Sequence, residues 1–515
     1  MSPRRHFLLA FLLTVFGTIL FIARTGRDGG HLKNIDNWAS TAEFEIKIES
    51  HPCAEQLAWL KPYQFAYPIN YVSRDIIVVP SANHERPSVS IVDEPLFENF
   101  TTIDLAQSTT VYIPKCLPPV HLEVPYVNLS KVDASNMIFG LQTTMKRLKE
   151  TLKHMARWLP HTNARLFAIV IETEEKPADV KEMAKLEKEF LGQGMKVSII
   201  HPVRSKDSFA QRYFSLVNVM YAARNDKTEW VVLIDDDTFF PSMHDLQSLL
   251  SKYDSTREQY IGSLSEDWWA VNNYGLMGFG GAGIMISLPL AKIIDEHTDE
   301  CKEHPRTTAG DITVMDCIYR FSSTKLTHIP GLHQLDMHGD LSGFYESGRE
   351  MISLHHWKAG FKLEIEKMHL VADICDSCFL QRWQFGKYAI LSNGFSIAHY
   401  PSGYLRSTML RGGKAQKINL QEMEHTWGEN MKVLHSLAPL RDKMSERDKV
   451  TYKLLNSVKV DGVVKQVYFR EGGGKEMDTV MVLNWRAGEA VKKEEVGPQA
   501  GFGVVRPEEG KQMVH

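Results

Sequence analysis

Between residues 135 and 235 the apolar positions follow two alternating rhythms. Met137 to Leu141 and Leu166 to Ile171 are short, nearly unbroken apolar runs, and Lys196 to Ile200 is a third run of strand type. Runs of this length rich in Val, Ile and aromatics read as buried strands. Between the first two, Leu141, Met145, Leu148, Leu152, Met155 and Leu159 recur at three- and four-residue steps, which marks one face of a helix. Val180 to Leu191 predicts a charged amphipathic helix, and Phe209 to Arg224 predicts another. The series closes on Trp230-Val231-Val232-Leu233-Ile234, a further buried strand. Strands that alternate with helices imply a largely parallel sheet with helices on both faces, an α/β fold.

The flanks have a different texture. Residues 24–42 are polar and Gly-rich and read as a short stem, and residues 43–130 hold β-like runs interrupted by prolines, such as Asp75 to Val79 and Thr109 to Ile113. A β-rich N-terminal region is expected there, ahead of an α/β region over 131–370. From 371 to 485 short strands return, including Tyr388 to Leu391 and Phe395 to Tyr400, and predict a small β-rich extension. Residues 486–515 are rich in Gly, Glu and Lys, with few core formers, and are expected to be disordered.

Residues 1–6 carry Arg4 and Arg5, and Phe7 to Ala23 is apolar except for Thr and Gly. Seventeen helical residues reach about 25 Å, just short of the ~30 Å hydrocarbon core of a bilayer. A cleaved signal peptide is the competing reading, but no small-residue cleavage site follows. The expectation is an uncleaved signal-anchor over 7–23 with a cytoplasmic N-terminus. The remainder is then lumenal, in the Golgi or endoplasmic reticulum, as a single-pass type II membrane protein. The sequons Asn99-Phe100-Thr101 and Asn128-Leu129-Ser130 agree with that compartment. The spacing of the six cysteines suggests pairs Cys53–Cys116, Cys301–Cys317 and Cys375–Cys378. Cys375 and Cys378 are alternatively half of a zinc site, though no second C-x-x-C is present. A net charge of −4 gives no basic field of the kind nucleic acid requires.

The chemistry gathers where the strand beginning at Trp230 ends. Asp235, Asp236 and Asp237 follow five apolar residues, and Thr238-Phe239-Phe240 comes after them. Isolated carboxylates are too costly to bury unpaired, so these acids either share a cation or face a cleft. Ligands of open α/β sheets bind beyond the carboxyl ends of strands. A D-x-D pair there is suited to a hard divalent cation, and that cation to a diphosphate. This points to a nucleotide-sugar transferase; the alternative is a solvated acidic turn.

Further motifs fall in order behind the acids: Tyr260-Ile261-Gly262-Ser263-Leu264-Ser265-Glu266, Gly278-Phe279-Gly280-Gly281-Ala282-Gly283-Ile284, Gly310-Asp311-Ile312-Thr313, Gly331-Leu332-His333-Gln334-Leu335-Asp336, and Ser353-Leu354-His355-His356-Trp357. Together they resemble the Fringe-like β-1,3-glycosyltransferases, in particular a plant and fungal branch long known only as a domain of unknown function. The resemblance covers about 135–360 and extends more weakly through Cys375 to Pro401, where Trp383 and the strands after it resemble that branch's C-terminal extension. It implies a GT-A fold, an inverting mechanism, a UDP-sugar donor and a glycan or glycoprotein acceptor. It does not specify the sugar.

Sugar transfer needs a neutralised diphosphate, a deprotonated acceptor hydroxyl and an in-line anomeric carbon. Mn²⁺ or Mg²⁺ suits carboxylate oxygens. Asp237 and Asp235 are the expected metal ligands, with a ribose contact as the alternative for Asp235, and Asp236 is a supporting donor-site residue. His333 stands near the place of the family's metal-binding histidine, with His355 and His356 as rivals; the chain lacks one residue of the Gly-Leu-(Phe)-His pattern. Asp311 matches the second aspartate of the family's Asp-Asp-Cys-Thr pattern, and Gly310 replaces the first. Asp311 is thus the candidate base, with a helix N-cap as its structural alternative. Gly280, Gly281, Ala282 and Gly283 are small enough for backbone to approach a sugar or phosphate. Trp268 and Trp269 are candidates for stacking on an acceptor sugar. Two other functions compete: an inactive lumenal glycan-binding relic of the same fold, and a D-x-D phosphatase. The phosphatase pattern breaks at Phe239.

Overall fold

The rhythm of residues 137–235 folds into strands and helices at almost the boundaries the apolar pattern marks. The structure, a computed structural model, describes residues 54–81, 86–113, 117–125, 132–171, 176–303, 305–358, 362–403, 408–411, 414–428, 437–474 and 476–488. The segment Phe7 to Ala23, Asn128, Cys53 and Cys116 lie outside the described residues. Among the described residues no helix is long and apolar enough to cross a membrane.

The chain divides into two units. The smaller comprises 1–72, 99–118 and 470–480, and the larger comprises 73–98, 119–469 and 481–515. In the smaller, Ala54–Gln56 pairs antiparallel with Thr110–Tyr112. Ile69 to Tyr71 pairs antiparallel with Thr101–Ile103, and Leu57, Leu60 and Leu105 are buried.

The larger unit holds the α/β sheet. Its strands are β1 (Met137–Thr144), β2 (Arg165–Ile171), β3 (Lys196–Ile200), β4 (Trp230–Leu233), β5 (Tyr260–Gly262), β6 (Ile284–Ser287) and β7 (Leu326–His328). Its helices include α1 (Met145–Met155), α2 (Val180–Gly192), α3 (Phe209–Ala222), α4 (Met243–Leu250), α5 (Trp268–Tyr274), α6 (Leu288–Glu296) and α7 (Gly310–Phe321). The order across the sheet is β7-β5-β6-β4-β1-β2-β3, and β6 alone runs antiparallel to its neighbours β4 and β5. This is the α/β, GT-A-type mixed sheet that the resemblance implies.

Local signals account for the helix starts. Thr144 caps α1, Asp179 caps α2, Ser208 caps α3 in a capping box with Gln211, and Ser242 caps α4. Each side chain takes up backbone N–H groups that the first turn leaves unpaired. Every residue of β4 is buried, since helices cover both faces. Gly140 on β1 lets α3 pack closely: a Cβ there would lie 2.9 Å from Met220 Cε and 3.3 Å from Leu216 Cβ. Cys301 and Cys317 form the expected disulfide and tie α7 to the short helix Thr298–Lys302.

A second, mostly antiparallel sheet draws on both flanks of the sequence. Ser90–Val92, Arg382–Phe385, Ala389–Ser392, Ser396–His399, Val450–Val460, Val463–Arg470, Thr479–Ala487 and Ile69–Ser81 follow one another, and Val120–Pro125 pairs parallel to 76–81. The stretches read separately as an N-terminal β-rich region and a C-terminal extension therefore contribute to one sheet. Trp383 and Trp485 are fully buried with ring centroids 5.8 Å apart. Arg486, which composition assigns to the tail, lies within the strand Thr479–Ala487. Cys375 and Cys378 are joined as a disulfide, so their thiols are not available to zinc.

Candidate active site

The three acids do three different things. β4 ends at Leu233, and Thr238 closes the turn beyond it: its hydroxyl accepts from the Asp235 N–H at 2.9 Å and donates to the Gly281 carbonyl at 2.9 Å. Asp236 points toward α1. Arg147 Nε donates to its Oδ2 at 2.6 Å, a second guanidinium nitrogen donates to Oδ1, and the Thr143 hydroxyl also donates to Oδ2. A carboxylate so fully engaged anchors the loop, and it is not brought to the cluster formed by its two neighbours.

Asp235 and Asp237 converge on His355. Nε2 of that ring lies 3.1 Å from Asp237 Oδ1 and 3.4 Å from Asp235 Oδ2. The approach is produced by one antiparallel bridge. Phe239 N–H donates to the Leu354 carbonyl and Leu354 N–H to that of Phe239, both at 2.9 Å. Ser353 and Leu354 also pair parallel with Leu332 and His333. The Trp357 indole donates to the Asp237 carbonyl at 2.6 Å and ties the His-His-Trp segment to the acid turn. Successive side chains of an extended segment alternate in direction. Leu354 is buried in the core, and His355 comes out beside the acids.

The charges interlock. Burial pushes the Asp237 carboxyl up, but the hydrogen bond and charge of His355 outweigh it and hold it down at about 2. Burial alone would lower the imidazole of His355; Asp235 and Asp237 raise it well above its ordinary value. His356 Nδ1 meets Asp336 Oδ1 at 3.1 Å. One ligand atom from each of Asp336, His355 and His356 lies within 4.8 Å of the others, next to the D-x-D pair.

His333 is not part of this cluster. Its Nδ1 is 2.9 Å from Glu266 Oε1, and its Nε2 is 3.1 Å from the Glu350 carbonyl. Both nitrogens of this buried ring are engaged away from the acids, and its rival His355 is the histidine whose Nε2 faces Asp235 and Asp237. Glu266 Oε2 also accepts from Leu335 N–H at 2.7 Å, which makes the pair a brace for the strand before Asp336.

Asp311 lies in the first turn of α7, and Ala309, not Asp311, is the N-cap. The carboxylate is half-buried. Oδ2 accepts from Gly280 N–H at 3.2 Å and Oδ1 from Ile312 N–H at 2.9 Å. Burial and then the nearby Asp235 charge push it up to about 7, against the pull of those two N–H groups. A carboxyl shifted that far, near Asp235 beyond the end of β4, has the character of an acid–base group.

The glycines serve side chains rather than an open approach. A Cβ at Gly281 would lie 2.2 Å from ring atoms of His355, and one at Gly280 would lie 2.2 Å from the Tyr213 hydroxyl. Gly280, Gly281, Ala282 and Gly283 are all buried. Ala282 N–H donates to Gln334 Oε1 at 2.9 Å, and Gly283 takes a φ of +94°, a conformation that favours glycine. Tyr213, on α3, is buried, and its hydroxyl finds no hydrogen-bond partner among the described residues. Burial, then the Asp235 and Asp311 charges, raise its phenol well above the usual value.

Trp268 and Trp269 begin α5 and are 44% and 57% exposed. The inner side of that helix, at Ala270, packs with Met277, Phe279, Ile312 and Met315, so α5 rests on the helix that carries Asp311. Nothing in the sequence marked Tyr213 or Arg147 as parts of the site, and it marked His356 without its partner Asp336. Only the DDTFF and His-His-Trp motifs gave a signal, because these contacts depend on how distant elements dock.

The GT-A-type fold with an acid pair and histidine at the end of β4 defines the setting in which the likenesses to known proteins fall. Residues 270–364 match the family described as "Protein of unknown function, DUF604". Two human proteins are similar over short stretches. A beta-1,3-glucosyltransferase is 27% identical over 145 residues, covering 28% of this chain and 28% of its own. Chondroitin sulfate synthase 3 is 25% identical over 133 residues, covering 24% of this chain and 15% of its own. The chain thus matches less than a third of the length of either relative. Among solved structures, a mannosyltransferase from Pyrobaculum calidifontis in complex with GDP-Man and Mn²⁺ is 11% identical, with a TM-score of 0.27 over 38% of this chain and 55% of that one.

Proposed function

We propose that the larger unit is an inverting glycosyltransferase that moves a hexose or N-acetylhexosamine from a UDP-sugar to a hydroxyl of a glycan or glycoprotein, in a β-1,3 linkage. The observation that carries the reading is the convergence of Asp235, Asp237 and His355 at the carboxyl end of β4. Two carboxylates and an imidazole nitrogen around one point are donors that suit a divalent cation such as Mn²⁺, with Mg²⁺ second because of the nitrogen. Such a cation, when bound, neutralises charge on a diphosphate as it leaves.

The chain's own groups perform the rest. Asp236, clamped by Arg147 and Thr143, fixes the loop that presents Asp235 and Asp237. Asp311 accepts the proton of the acceptor hydroxyl as that oxygen bonds to the anomeric carbon and the carbon–phosphate oxygen bond breaks, releasing UDP. The Gly280 N–H steadies the carboxylate during this step. Trp268 and Trp269 offer aromatic faces on which the CH-rich side of an acceptor sugar stacks.

The setting is the secretory pathway, in the Golgi or endoplasmic reticulum membrane. The apolar segment Phe7 to Ala23 anchors the chain, and exposed Asn99 is a glycan acceptor. The test is to incubate the purified chain with Mn²⁺ and individual UDP-sugars, follow UDP release, and repeat with an acceptor panel. One donor should release UDP faster when its acceptor is added. Phosphate release from monoesters without UDP release would overturn the reading in favour of a hydrolase.

A further inference from the structure

We propose that Tyr213 is a positioning residue for Asp235, its hydroxyl supplying the hydrogen bond that aims that carboxylate. The inference rests on the reading of the Asp235–Asp237–His355 cluster as a cation and diphosphate site.

Two glycines bring the phenol to its place. A Cβ at Gly310 would lie 2.2 Å from Tyr213 Cβ, and a Cβ at Gly280 would lie 2.2 Å from the hydroxyl. The first concerns an atom fixed to the backbone of α3, so α3 and α7 approach as they do only because Gly310 stands there. This accounts for glycine at the position where the resembling family carries its first aspartate. The point at Gly280 also lies 3.6 Å from Asp235 Oδ1. The phenol takes up the space beside Gly280, and its hydroxyl and that oxygen border the same glycine.

The remaining hydrogen bonds select Asp235 as the partner. Asp235 Oδ2 is the oxygen that meets His355, which leaves Oδ1 for another donor. Both oxygens of Asp311 already accept from backbone N–H groups. The Asp235 side chain is 40% exposed and has room to turn, whereas the phenol is held in the core of α3 and α7. A buried hydroxyl without a partner is unfavourable, and phenylalanine would fill the same space without that cost. A tyrosine here is accounted for if its O–H donates to Oδ1 once the carboxylate swings in. Held at Oδ1 by Tyr213 and at Oδ2 by the His355 side of the cluster, the carboxylate plane is fixed for the cation and the diphosphate.

A double-mutant cycle on the full chain tests this, with Tyr213→Phe, Asp235→Ala and the pair. Two quantities are read: the melting temperature without added metal, and the affinity for UDP in the presence of Mn²⁺. Tyr213→Phe should weaken UDP binding by about tenfold, the loss of one hydrogen bond to a charged group. The two substitutions should be non-additive in melting temperature. A tyrosine that only packs gives the reverse. Phenylalanine then raises the melting temperature, leaves UDP affinity unchanged and adds to Asp235→Ala, and this result overturns the proposal. Failure of the underlying reading looks different: wild type and Asp237→Ala would bind UDP equally. Coupling between Tyr213 and Asp235 in melting temperature would still decide whether the hydrogen bond exists.

Discussion

His355 Nε2 stands 3.1 Å from Asp237 Oδ1, and the single bridge between Phe239 and Leu354 is what brings these two residues together. The D-x-D loop and the histidine therefore form one rigid corner. Asp237→Ala should abolish sugar transfer and most Mn²⁺-dependent UDP binding, and His355→Ala should weaken that binding by at least tenfold. Titration of UDP into each variant with and without Mn²⁺ is the measurement. Full activity of Asp237→Ala would remove the D-x-D assignment.

Gly281→Ala tests the same corner without touching a donor atom. The added methyl would lie 2.2 Å from the His355 ring, so the imidazole must leave its place. Mn²⁺-dependent UDP affinity should fall toward that of His355→Ala. An unchanged affinity would show that the ring position is not critical.

Asp311→Asn preserves shape and cannot accept a proton. Transfer should drop by about 10² or more, while UDP binding with Mn²⁺ survives. The pH dependence has a definite sign. Asp311 is raised from the ordinary carboxyl value to about 7 in the folded chain, so the folded state holds its proton more tightly than the unfolded one. Between about pH 4 and pH 7 this group makes stability fall as pH rises, and Asp311→Asn should flatten that slope. Transfer should rise over the same upper range as the base becomes ionised. If transfer by Asp311→Asn is near normal, Asp336 is the next candidate, because it lies in the cluster with His355 and His356, whereas Asp316 is paired with Arg306 and Asp340 with Lys443 away from it.

Arg147→Met should act on stability as well as on catalysis. It leaves the buried Asp236 carboxylate with the Thr143 hydroxyl as its remaining side-chain donor. The cost should be about 1–3 kcal/mol, readable by chemical denaturation. A change within experimental error would mean that Asp236 is accessible to other partners.

The β-strands and helices of residues 137–233 were legible because their periodicity is local: each run writes its own burial pattern into the chain. The acid loop was legible because three carboxylates directly after a wholly apolar strand need a cation or a cleft to offset the cost of burying charge. The choice among His333, His355 and His356 was not, since it depends on the pairing of Ser353–Leu354 with Leu332–His333 and on the Phe239 bridge, which join distant segments. The glycines misled in a similar way. Gly280 and Gly281 read as an open approach for ligand, but the space belongs to Tyr213 and His355, residues from elsewhere in the chain. The N-cap reading of Asp311 missed by two residues because the cap, Ala309, offers no side-chain oxygen to mark the start of α7. The sheet that Ser90–Val92 shares with the strands from Arg382 onward was hidden for the same reason, since strand order follows from tertiary pairing.

The proposed transfer requires Asp235, Asp237 and His355 to hold a cation that holds a diphosphate. Calorimetric titration of UDP into the purified chain, first with Mn²⁺ and then with a chelator, tests it most directly. Saturable binding with Mn²⁺ that vanishes with chelator, and that is lost in both Asp237→Ala and His355→Ala, is the predicted result. UDP binding of equal strength with chelator, or in either variant, would contradict it.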